Sequence, residues 1–486
     1  MTQLLGVFAL VLRTVDFVKR ILELLLRLSV AISMTGCLSN AKNAPALTTD
    51  LALPVKFNAG TTNAPAAVGW LKDFNDATLE KLVEQAMVKN PDLRVTAARL
   101  KAAQANVRIA RADRLPTLTA AALAGRTKRN NTSGFVVRSS RNKRFSPELN
   151  LAWEVDVWGR LADNQIAARL DAEQATANLK GARLSLAANT AKSWFSLAES
   201  QLQAGLAMRT LKSYTNNLAV LEDGLQKGLT KVLDVRLMRT SVRNAEGNLQ
   251  LRLRERDAAR RSLEVLLGAY PKSALELGVK LPTLTNAVPT GLPAQLLERR
   301  PDIIAAQRHY LATYQRVNSA KKDRLPQIRL TSSYGTSSDE LKKVLDIENN
   351  IWNLAANLTN PIFDSRKITS QIERAKAQRE EAKYQYVQTT LQAFAEVETA
   401  LAAESFLTKQ ETSLHGANDE AKEAEKLALN DYAAGLVDIV TVLESQRRVF
   451  DAERSLLQLQ NQRLQNRIDL YLALGGEFSK PKPNIE

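Results

Sequence analysis

The sequence contains the same pattern twice, about 210 residues apart. A helical pattern follows Pro91-Asp92 and ends at Asp113-Arg114-Leu115-Pro116. An equivalent pattern follows Pro301-Asp302 and ends at Asp323-Arg324-Leu325-Pro326, with an offset of 210 residues at both ends. Because a repeat of this kind marks a supersecondary unit that is used more than once, it constrains the fold more than any single motif.

A second match supports the duplication. The segment from Gly228-Leu229 to Leu267-Gly268 matches the segment from Gly435-Leu436 to Leu474-Gly475, and the offset is 207 residues at both ends. Two matches in the same order predict a tandem duplication. The prolines between the two copies indicate a connector.

The hydrophobic period within each repeat changes from that of a helix to that of a strand. In residues 327–334 the apolar side chains of Ile328, Leu330 and Tyr334 alternate with polar ones. This is the period of a strand with one apolar and one polar face. Each run has about the 9–11 residues that a transmembrane strand needs. The same alternation occurs in residues 118–124, 148–158 and 352–359.

The predicted strands form two β-hairpins, at about 115–158 and at about 326–363. Polar loops are predicted between the paired strands, at 126–144 and 336–349. Four strands cannot close a barrel in lipid, because open edges would leave backbone groups unpaired at several kcal/mol each. If these strands cross a membrane, several chains must contribute to one barrel.

A very long helical pattern follows each hairpin. The first pattern runs from Arg160 to about Leu225 and the second from Arg366 to about Ala434, with no proline inside. A helix of this length spans about 100 Å, which is typical of coiled-coil packing. Glycine-containing turns end both patterns, and a shorter helix of about 38 residues is predicted to return from each turn.

The only cysteine, Cys37, directly follows an apolar leader. Residues 1–36 resemble an export signal, and their last three residues form the tetrapeptide Met34-Thr35-Gly36-Cys37 together with the cysteine. This tetrapeptide resembles the lipobox of bacterial lipoproteins, in which the cysteine is lipidated. We therefore predict lipid attachment at Cys37, followed by a tether rich in Ala, Thr, Asn and Pro. The alternative is a buried free thiol.

The predicted organisation follows from the repeats and the leader. Each repeat contains helices, one β-hairpin and one long helical hairpin. In chain order the segments are a signal peptide (1–36), a lipidated N-terminal tether (37–74), the first structural repeat (75–270), a connector (271–295), the second structural repeat (290–476) and a C-terminal tail (477–486).

The chain offers few side chains for catalysis or metal binding. Its 486 residues include one cysteine and two histidines, His309 and His415, which are far apart in the sequence. This excludes a disulfide framework and a cysteine-based zinc site. No acid–base or nucleophile constellation is present. We predict that the protein is not an enzyme and has no cofactor and no metal site.

Four motifs carry a resemblance that extends from about Trp70 to Gly476. They are Trp153-Glu154-Val155-Asp156-Val157-Trp158-Gly159-Arg160, Leu297-Glu298-Arg299-Arg300-Pro301-Asp302-Ile303, Pro361-Ile362-Phe363-Asp364 and Tyr432-Ala433-Ala434-Gly435-Leu436-Val437-Asp438. With them the chain resembles the TolC/OprM-type outer membrane efflux proteins, in the lipoprotein branch often called NodT-like.

The resemblance implies a mainly α fold with a membrane β-barrel. In such a homotrimer each protomer contributes four strands to a 12-stranded β-barrel and long helices to a 12-helix periplasmic α-barrel. The implied function is the exit duct of a tripartite efflux pump, which passively conducts small molecules across the bacterial outer membrane. The implied partners are a periplasmic adaptor (membrane fusion) protein and an inner-membrane transporter of the resistance-nodulation-division type.

The chain is strongly basic. The net charge is +16, and basic residues concentrate between Lys128 and Arg144. Such runs can bind nucleic acid, but the chain contains no nucleic-acid module. Because the resemblance places this loop outside the cell, we predict outer membrane lipids, in particular anionic lipopolysaccharide, as its neighbour.

The resemblance also implies a periplasmic gate at Val440 and Glu444. These residues are four positions apart and therefore share a helix face. Three copies would form an apolar ring and an acidic ring, and an acidic ring favours cations. The alternative is that Glu444 is a solvated charge and Val440 a packing residue.

Further candidates lie at the tips of the helical hairpins. The resemblance implies a lock between Tyr432 and Asp234, although Val437 replaces an arginine that contributes a salt bridge in some relatives. The alternative is that both side chains are satisfied locally. Gly228 and Gly435 are predicted to adopt left-handed φ angles in the turns.

Two other functions remain open. One is a duct of the same fold that serves a type I protein secretion system. The other is a periplasmic coiled-coil adaptor, which would share the long helical hairpins but would lack the four alternating strands.

Overall fold

The structure is a computed structural model. It describes residues 57, 69–133, 136–275, 280–284, 288 and 293–476, apart from the side chains of 131–138 and 293–295. The predicted signal peptide, the lipidation site Cys37 and the C-terminal tail lie outside the described residues.

The described chain contains the same order of long elements twice. The first copy comprises α1 (Ala77–Lys89), α2 (Pro91–Ala112), β1 (Thr117–Ser133), β2 (Val136–Val155), α3 (Arg160–Gln226) and α4 (Val232–Leu266). The second copy comprises α5 (Pro293–Arg299), α6 (Pro301–Lys322), β3 (Gln327–Thr336), β4 (Asn350–Thr359), α7 (Lys367–Ala433) and α8 (Ile439–Ala473).

The bounds of these helices reproduce the sequence offsets. Both ends of α2 recur in α6 after 210 residues, and both ends of α3 and α4 recur in α7 and α8 after 207 residues. Helices α3 and α7 each have 67 residues, and α4 and α8 each have 35. The tandem-repeat fold predicted from the sequence is confirmed.

The four strands form one antiparallel sheet in the order β1-β2-β3-β4. Strands β1 and β2 pair in one unbroken register from Thr117, opposite Ala152, to Ser133, opposite Val136. The prediction of a polar loop at 126–144 was therefore wrong, because the strands continue through almost all of it. Pairing uses backbone groups, and Arg, Thr, Asn and Ser side chains do not interrupt a ladder once it has begun.

The second hairpin ends earlier. Its ladder runs from Gln327, opposite Thr359, to Thr336, opposite Asn350. The polar connection predicted between these strands contains two short 3-10 turns, Leu341–Lys343 and Ile347–Asn349.

The long helices pack through small residues and one aromatic cluster. In α3, Ala187, Ala188 and Ala191 are completely buried, because the absence of a longer side chain allows neighbouring helices to approach closely. Trp70 stacks on Tyr471 at a ring-centroid distance of 5.5 Å. Long-range packing of this kind stabilises helices of this length more than helix propensity does.

Two compact units can be distinguished by internal contacts. Among the described residues, one contains Lys101–Glu173 and Gln307–Tyr384, with the whole sheet. The other contains the described parts of Asp50–Leu100, Gln174–Ala306 and Gln385–Glu486. Each unit draws on both sequence repeats. None of the helices in the described part of the chain combines the length and the apolar character needed to cross a bilayer.

Candidate channel and gating elements

The sheet has one apolar and one polar face. Residues directly opposite each other in antiparallel strands point to the same side, and the register aligns Leu149 with Tyr334 and Tyr334 with Trp352. The apolar face contains Leu118, Leu149, Leu151, Trp153, Val155, Ile328, Leu330, Tyr334, Trp352, Leu354 and Leu358. Trp352 and Leu354 are each 72% exposed. An exposed apolar face that extends over four strands marks contact with lipid or with another chain.

The opposite face of the sheet is polar. Thr119, Asn150, Ser333 and Asn353 lie in one row across the four strands, with Glu154, Arg329 and Asn357 in a parallel row. One side of the sheet is therefore suited to lipid and the other to water, as in the wall of an aqueous channel.

The outer edges of the sheet are open. Within the described chain β1 pairs only with β2, and β4 pairs only with β3. An open edge presents a row of unpaired N–H and C=O groups, which can pair with a strand of another chain.

Glycines close the two helical-hairpin tips. Gly228 has a φ of 71° and Gly435 a φ of 74°, so both adopt the predicted left-handed conformation. The N–H of Leu229 donates to the carbonyl of Gly224 at 2.8 Å. At the equivalent position the N–H of Leu436 donates to the carbonyl of Asp431, also at 2.8 Å. Such bonds satisfy carbonyls that the helix end would leave unpaired.

The returning helices begin differently. The Asp438 carboxylate caps α8 by accepting a hydrogen bond from the N–H of Thr441 at 3.1 Å. The equivalent residue before α4 is Lys231, whose side chain makes no capping bond. The pKa of Asp438 is lowered mainly by the bonds from Thr441, and Lys231 contributes by its charge. The two helix starts therefore lie near each other with opposite charges.

The gate candidates lie on one face of α8, but Glu444 is not an isolated acid. Val440 is 52% exposed. The Glu444 carboxylate accepts hydrogen bonds from Arg447 at 2.8 and 2.9 Å and from Arg448 at 3.0 Å. Hydrogen bonds from Arg447 and then from Arg448 lower the pKa of Glu444 to about 2. Arg447 also pairs with Asp451 at 3.1 Å. The carboxylate thus belongs to a compact group of alternating charges.

The lock candidates lie close together. Burial raises the pKa of the Tyr432 hydroxyl, and the nearby carboxylate of Asp234 raises it further. No hydrogen bond joins these two side chains in the described part of the structure. Tyr432 also packs against an apolar cluster that includes Met238 and Val442, which are almost completely buried. The tip is thus held mainly by apolar packing.

Some residues at these sites were not predicted from the sequence. Leu229 is 81% exposed, Leu436 75% and Leu233 64%, so the tips present apolar side chains to the solvent. Leu229 and Leu436 directly follow the turn glycines Gly228 and Gly435, and this position was the available signal for them. The partners of Glu444 follow it at i+3 and i+4, a spacing that predicts ion pairs on a helix. Among the described residues no group of three His, Cys, Asp or Glu side chains is arranged to hold a metal ion.

The fold and these sites define a class of protein. A sheet with a lipid-compatible face, a polar face and open edges, combined with two long helical hairpins, is a subunit of an oligomeric membrane channel. The chain belongs to the outer membrane efflux protein family, whose model matches residues 82–269 and 292–476.

Individual relatives agree with this assignment. The chain is 32% identical over 421 residues to the outer membrane protein OprJ of Pseudomonas aeruginosa, covering 85% of this chain and 86% of OprJ. It is 30% identical over 463 residues to the cation efflux system protein CusC of Escherichia coli, covering 94% and 99% of the two chains. The solved outer-membrane channel OprN matches with a TM-score of 0.82 at 27% identity, over 89% of this chain and 98% of that one.

The family membership determines the main functional conclusions. The protein is an outer membrane efflux channel, and its family consists of channel proteins. The fold is that of trimeric channels in which the barrel forms only in the trimer. The periplasmic adaptor interpretation is excluded, since the four alternating strands that an adaptor would lack are present.

Proposed function

We propose that three copies of this chain form the exit duct of a tripartite efflux pump. The observation that carries the proposal is the open sheet: among the described residues the outer edges of β1 and β4 have no partner strand, and one face is apolar and exposed. If β4 of one protomer pairs with β1 of the next, each contact is head-to-tail, and a ring of such contacts leaves no free edge.

The number of protomers follows from the need for a lumen. Two chains would give eight strands, and the interior of an eight-stranded barrel is just filled by side chains. Three chains give twelve strands and are the smallest ring that leaves room for an aqueous path. The polar face, with Asn150, Arg329 and Asn353, would line that path.

The helical-hairpin tips would form the periplasmic end of the duct. Three copies of α8 would bring Val440 and the charged group around Glu444 to the mouth, where they narrow it. Tyr432 and Asp234 would restrain the closed mouth by their proximity and by the packing of the tip, without the salt bridge that Val437 cannot make. Movement of α8 relative to α4 would then open the gate.

The partners would be a periplasmic adaptor protein and an inner-membrane transporter of the resistance-nodulation-division type. The exposed apolar side chains of Leu229, Leu233 and Leu436 support docking of an adaptor at the tips, because apolar anchors surrounded by polar residues are typical of interaction sites. Gly228 and Gly435 would hold these anchors in place.

The amino-terminal segments complete the proposal. Residues 1–36 would be removed as a signal peptide, and lipid attached to Cys37 would anchor the tether 37–74 to the outer membrane. Residues 75–270 and 290–476 would act as the two repeats, joined by the connector 271–295 and followed by the tail 477–486.

The substrates would be small molecules. The name of CusC assigns cation efflux to that protein. The five methionines of this chain are scattered along the sequence, which does not favour a dedicated copper path.

Reconstitution and genetics test the proposal together. The purified full chain is expected to migrate as a heat-modifiable trimer and to conduct ions in planar bilayers. Deletion of its gene is expected to sensitise the cell to members of a panel of toxic compounds, and the wild-type gene should restore resistance. A monomer without conductance would contradict the duct, while a conducting trimer whose deletion changes no sensitivity would contradict the pump assignment.

A further inference from the structure

The apolar face of the first β-hairpin ends abruptly in positive charge. On this face the opposed pairs proceed from Leu118 and Leu151 through Ala120 and Leu149 to Ala122 and Pro147. The next pair is Ala124 and Phe145, and the two after that are Arg126 with Lys143 and Lys128 with Arg141. Because the register is unbroken, these four basic side chains continue the same face. We call them the basic rung pairs.

The length of the apolar face, up to the point where it becomes basic, matches the thickness of a membrane. The apolar face of β2 extends from Val155 to Phe145, which is 11 residues or about 34 Å along the strand. Strands of outer membrane barrels tilt by about 35–45°, so this length corresponds to an apolar band about 25 Å tall, the usual value for such barrels. The basic rung pairs therefore begin where the hydrocarbon layer ends and lipid headgroups begin.

Without a nearby anion, the two basic rung pairs destabilise the hairpin. Directly opposed residues have their Cβ atoms about 5 Å apart, and like charges in such positions destabilise a hairpin. The sequence from Thr117 to Pro147 contains seven basic residues and no acidic residue. All four side chains of the pairs are exposed, and within the described chain Arg126, Lys128 and Arg141 form no ion pair.

Lys143 has one acidic neighbour. The charge of Lys143 contributes to lowering the pKa of Glu340, although hydrogen bonds from Lys343 and Lys342 are the main causes. Glu340 pairs with Lys343 at 3.1 Å and with Lys342 at 3.2 Å. One carboxylate is thus shared among three lysines, and it cannot neutralise the basic rung pairs.

We infer that the basic rung pairs bind the phosphate groups of a phosphorylated glycolipid in the outer leaflet of the outer membrane. Each pair offers two cationic groups side by side, and guanidinium and ammonium groups are strong donors to phosphate. The apolar residues directly below would contact the acyl chains of the same lipid. This inference rests on the outer membrane location and on the face of the hairpin, and it does not require pump partners.

Matched double variants test the inference. Lys128→Gln/Arg141→Gln and, separately, Arg126→Gln/Lys143→Gln each remove one basic rung pair. Arg129→Gln/Arg144→Gln removes two charges from the opposite face of the same hairpin, where Arg129 is opposed by Ser140 and Arg144 by Gly125. The purified full-length trimer of each variant, in nonionic detergent, is titrated with diphosphoryl lipid A, monophosphoryl lipid A and inorganic phosphate, and bound lipid is counted by native mass spectrometry.

We expect the wild type to bind diphosphoryl lipid A more tightly than the monophosphoryl form. Each rung-pair variant should bind it about tenfold more weakly or worse, whereas the opposite-face variant should stay within about twofold of the wild type. Equal weakening by all three variants, or none in either rung-pair variant, would overturn the inference. Competition by inorganic phosphate at the affinity of the lipid would overturn the assignment to a membrane lipid. Unchanged trimer conductance would leave the proposed channel function intact in either case.

Discussion

Asn90 and Arg300 occupy equivalent positions in the two repeats, and each donates a hydrogen bond to the last carbonyl of a returning helix. The Nδ2 of Asn90 lies 2.9 Å from the carbonyl oxygen of Leu266 at the end of α4. The Nη1 of Arg300 lies 3.0 Å from the carbonyl oxygen of Ala473 at the end of α8. Two different side chains thus make the same connection, between the start of α2 and the end of α4 and between the start of α6 and the end of α8. We call these connections the first and the second junction.

The same junction explains a pair of glycines. Gly268 and Gly475 both have left-handed φ angles, 68° and 65°. A Cβ on Gly268 would lie 2.6 Å from the carbonyl oxygen of Lys89, and one on Gly475 would lie 3.3 Å from the backbone of Arg299. The chain before the Pro-Asp pair therefore packs against a helix end that only glycine allows to approach so closely.

Loss of the Arg300 guanidinium should destabilise the second junction. Arg300 is almost fully buried and pairs with Asp302 at 2.6 Å and with Glu396 at 2.8 Å. We expect Arg300→Gln to cost about 2–3 kcal/mol, below the range for fully buried pairs, because both carboxylates are nearly half exposed. Thermal unfolding of the purified trimer measures the effect. The exposed neighbour provides a matched control, and Arg299→Gln should change stability by less than about 0.5 kcal/mol. Equal effects of both variants would contradict a stabilising role of the Arg300 side chain in the second junction.

The charge of Glu444 should be insensitive to physiological pH. Its pKa is lowered to about 2, so the stabilisation from its arginine partners is complete above the unfolded pKa of about 4.3 and declines as the pH falls from that value to about 2. We therefore expect single-channel conductance to show no step from Glu444 between pH 5 and 8. Removing both partners with Arg447→Gln/Arg448→Gln should return the pKa toward its usual value and create a step between about pH 4 and 5.5.

Conductance also tests the gate itself. If Glu444 lies at the constriction, Glu444→Ala should raise the conductance of the trimer, because a small neutral side chain then replaces a larger charged one in the narrow segment. Arg454→Gln, which changes a charge further along α8, should leave the conductance near that of the wild type. An unchanged conductance in the Glu444 variant would place the constriction elsewhere.

The glycine at the second tip should tolerate little change. Gly435→Val must place a β-branched residue at a φ of 74°, which costs at least about 1–2 kcal/mol. Gly435→Asn should be milder, since Asn visits this conformation more readily. We expect lower thermal stability and weaker efflux for the valine variant. Gly416→Ala is the control, because Gly416 lies within α7 with open space around it, and there alanine should stabilise by about 0.5–1 kcal/mol.

A double-mutant cycle at the first and second tips tests the lock. Tyr432→Phe removes the hydroxyl and keeps the ring that packs near Met238. Because the hydrogen bonds of the described residues include none between Tyr432 and Asp234, we expect Tyr432→Phe and Asp234→Asn to show a coupling free energy of less than about 0.5 kcal/mol in unfolding. Tyr432→Ala should cost several times more, since it leaves a cavity in the cluster. A large coupling free energy would instead indicate a polar lock between the two side chains.

Local patterns were sufficient for much of the fold. Hydrophobic period, proline spacing and turn glycines predicted the long helices, and the ends of α3 and α7 lie within one residue of the predicted positions. The charge partners of Glu444 were equally local, at i+3 and i+4, and could have been predicted from the same helix. The extent of β1 and β2 through residues 126–144 could not, because polar residues are as compatible with a loop as with a paired strand.

The sequence by itself determined that one structural plan is used twice, because the period, the helix breakers and the offsets between copies are properties of neighbouring residues. Only the tertiary structure decided which distant residues meet. It placed Arg126 opposite Lys143, because register depends on backbone bonds between strands. It also brought Tyr432 near Asp234 and gave Asn90 and Arg300 the same role, because these contacts join segments that are far apart in the chain and become neighbours only when the long helices pack.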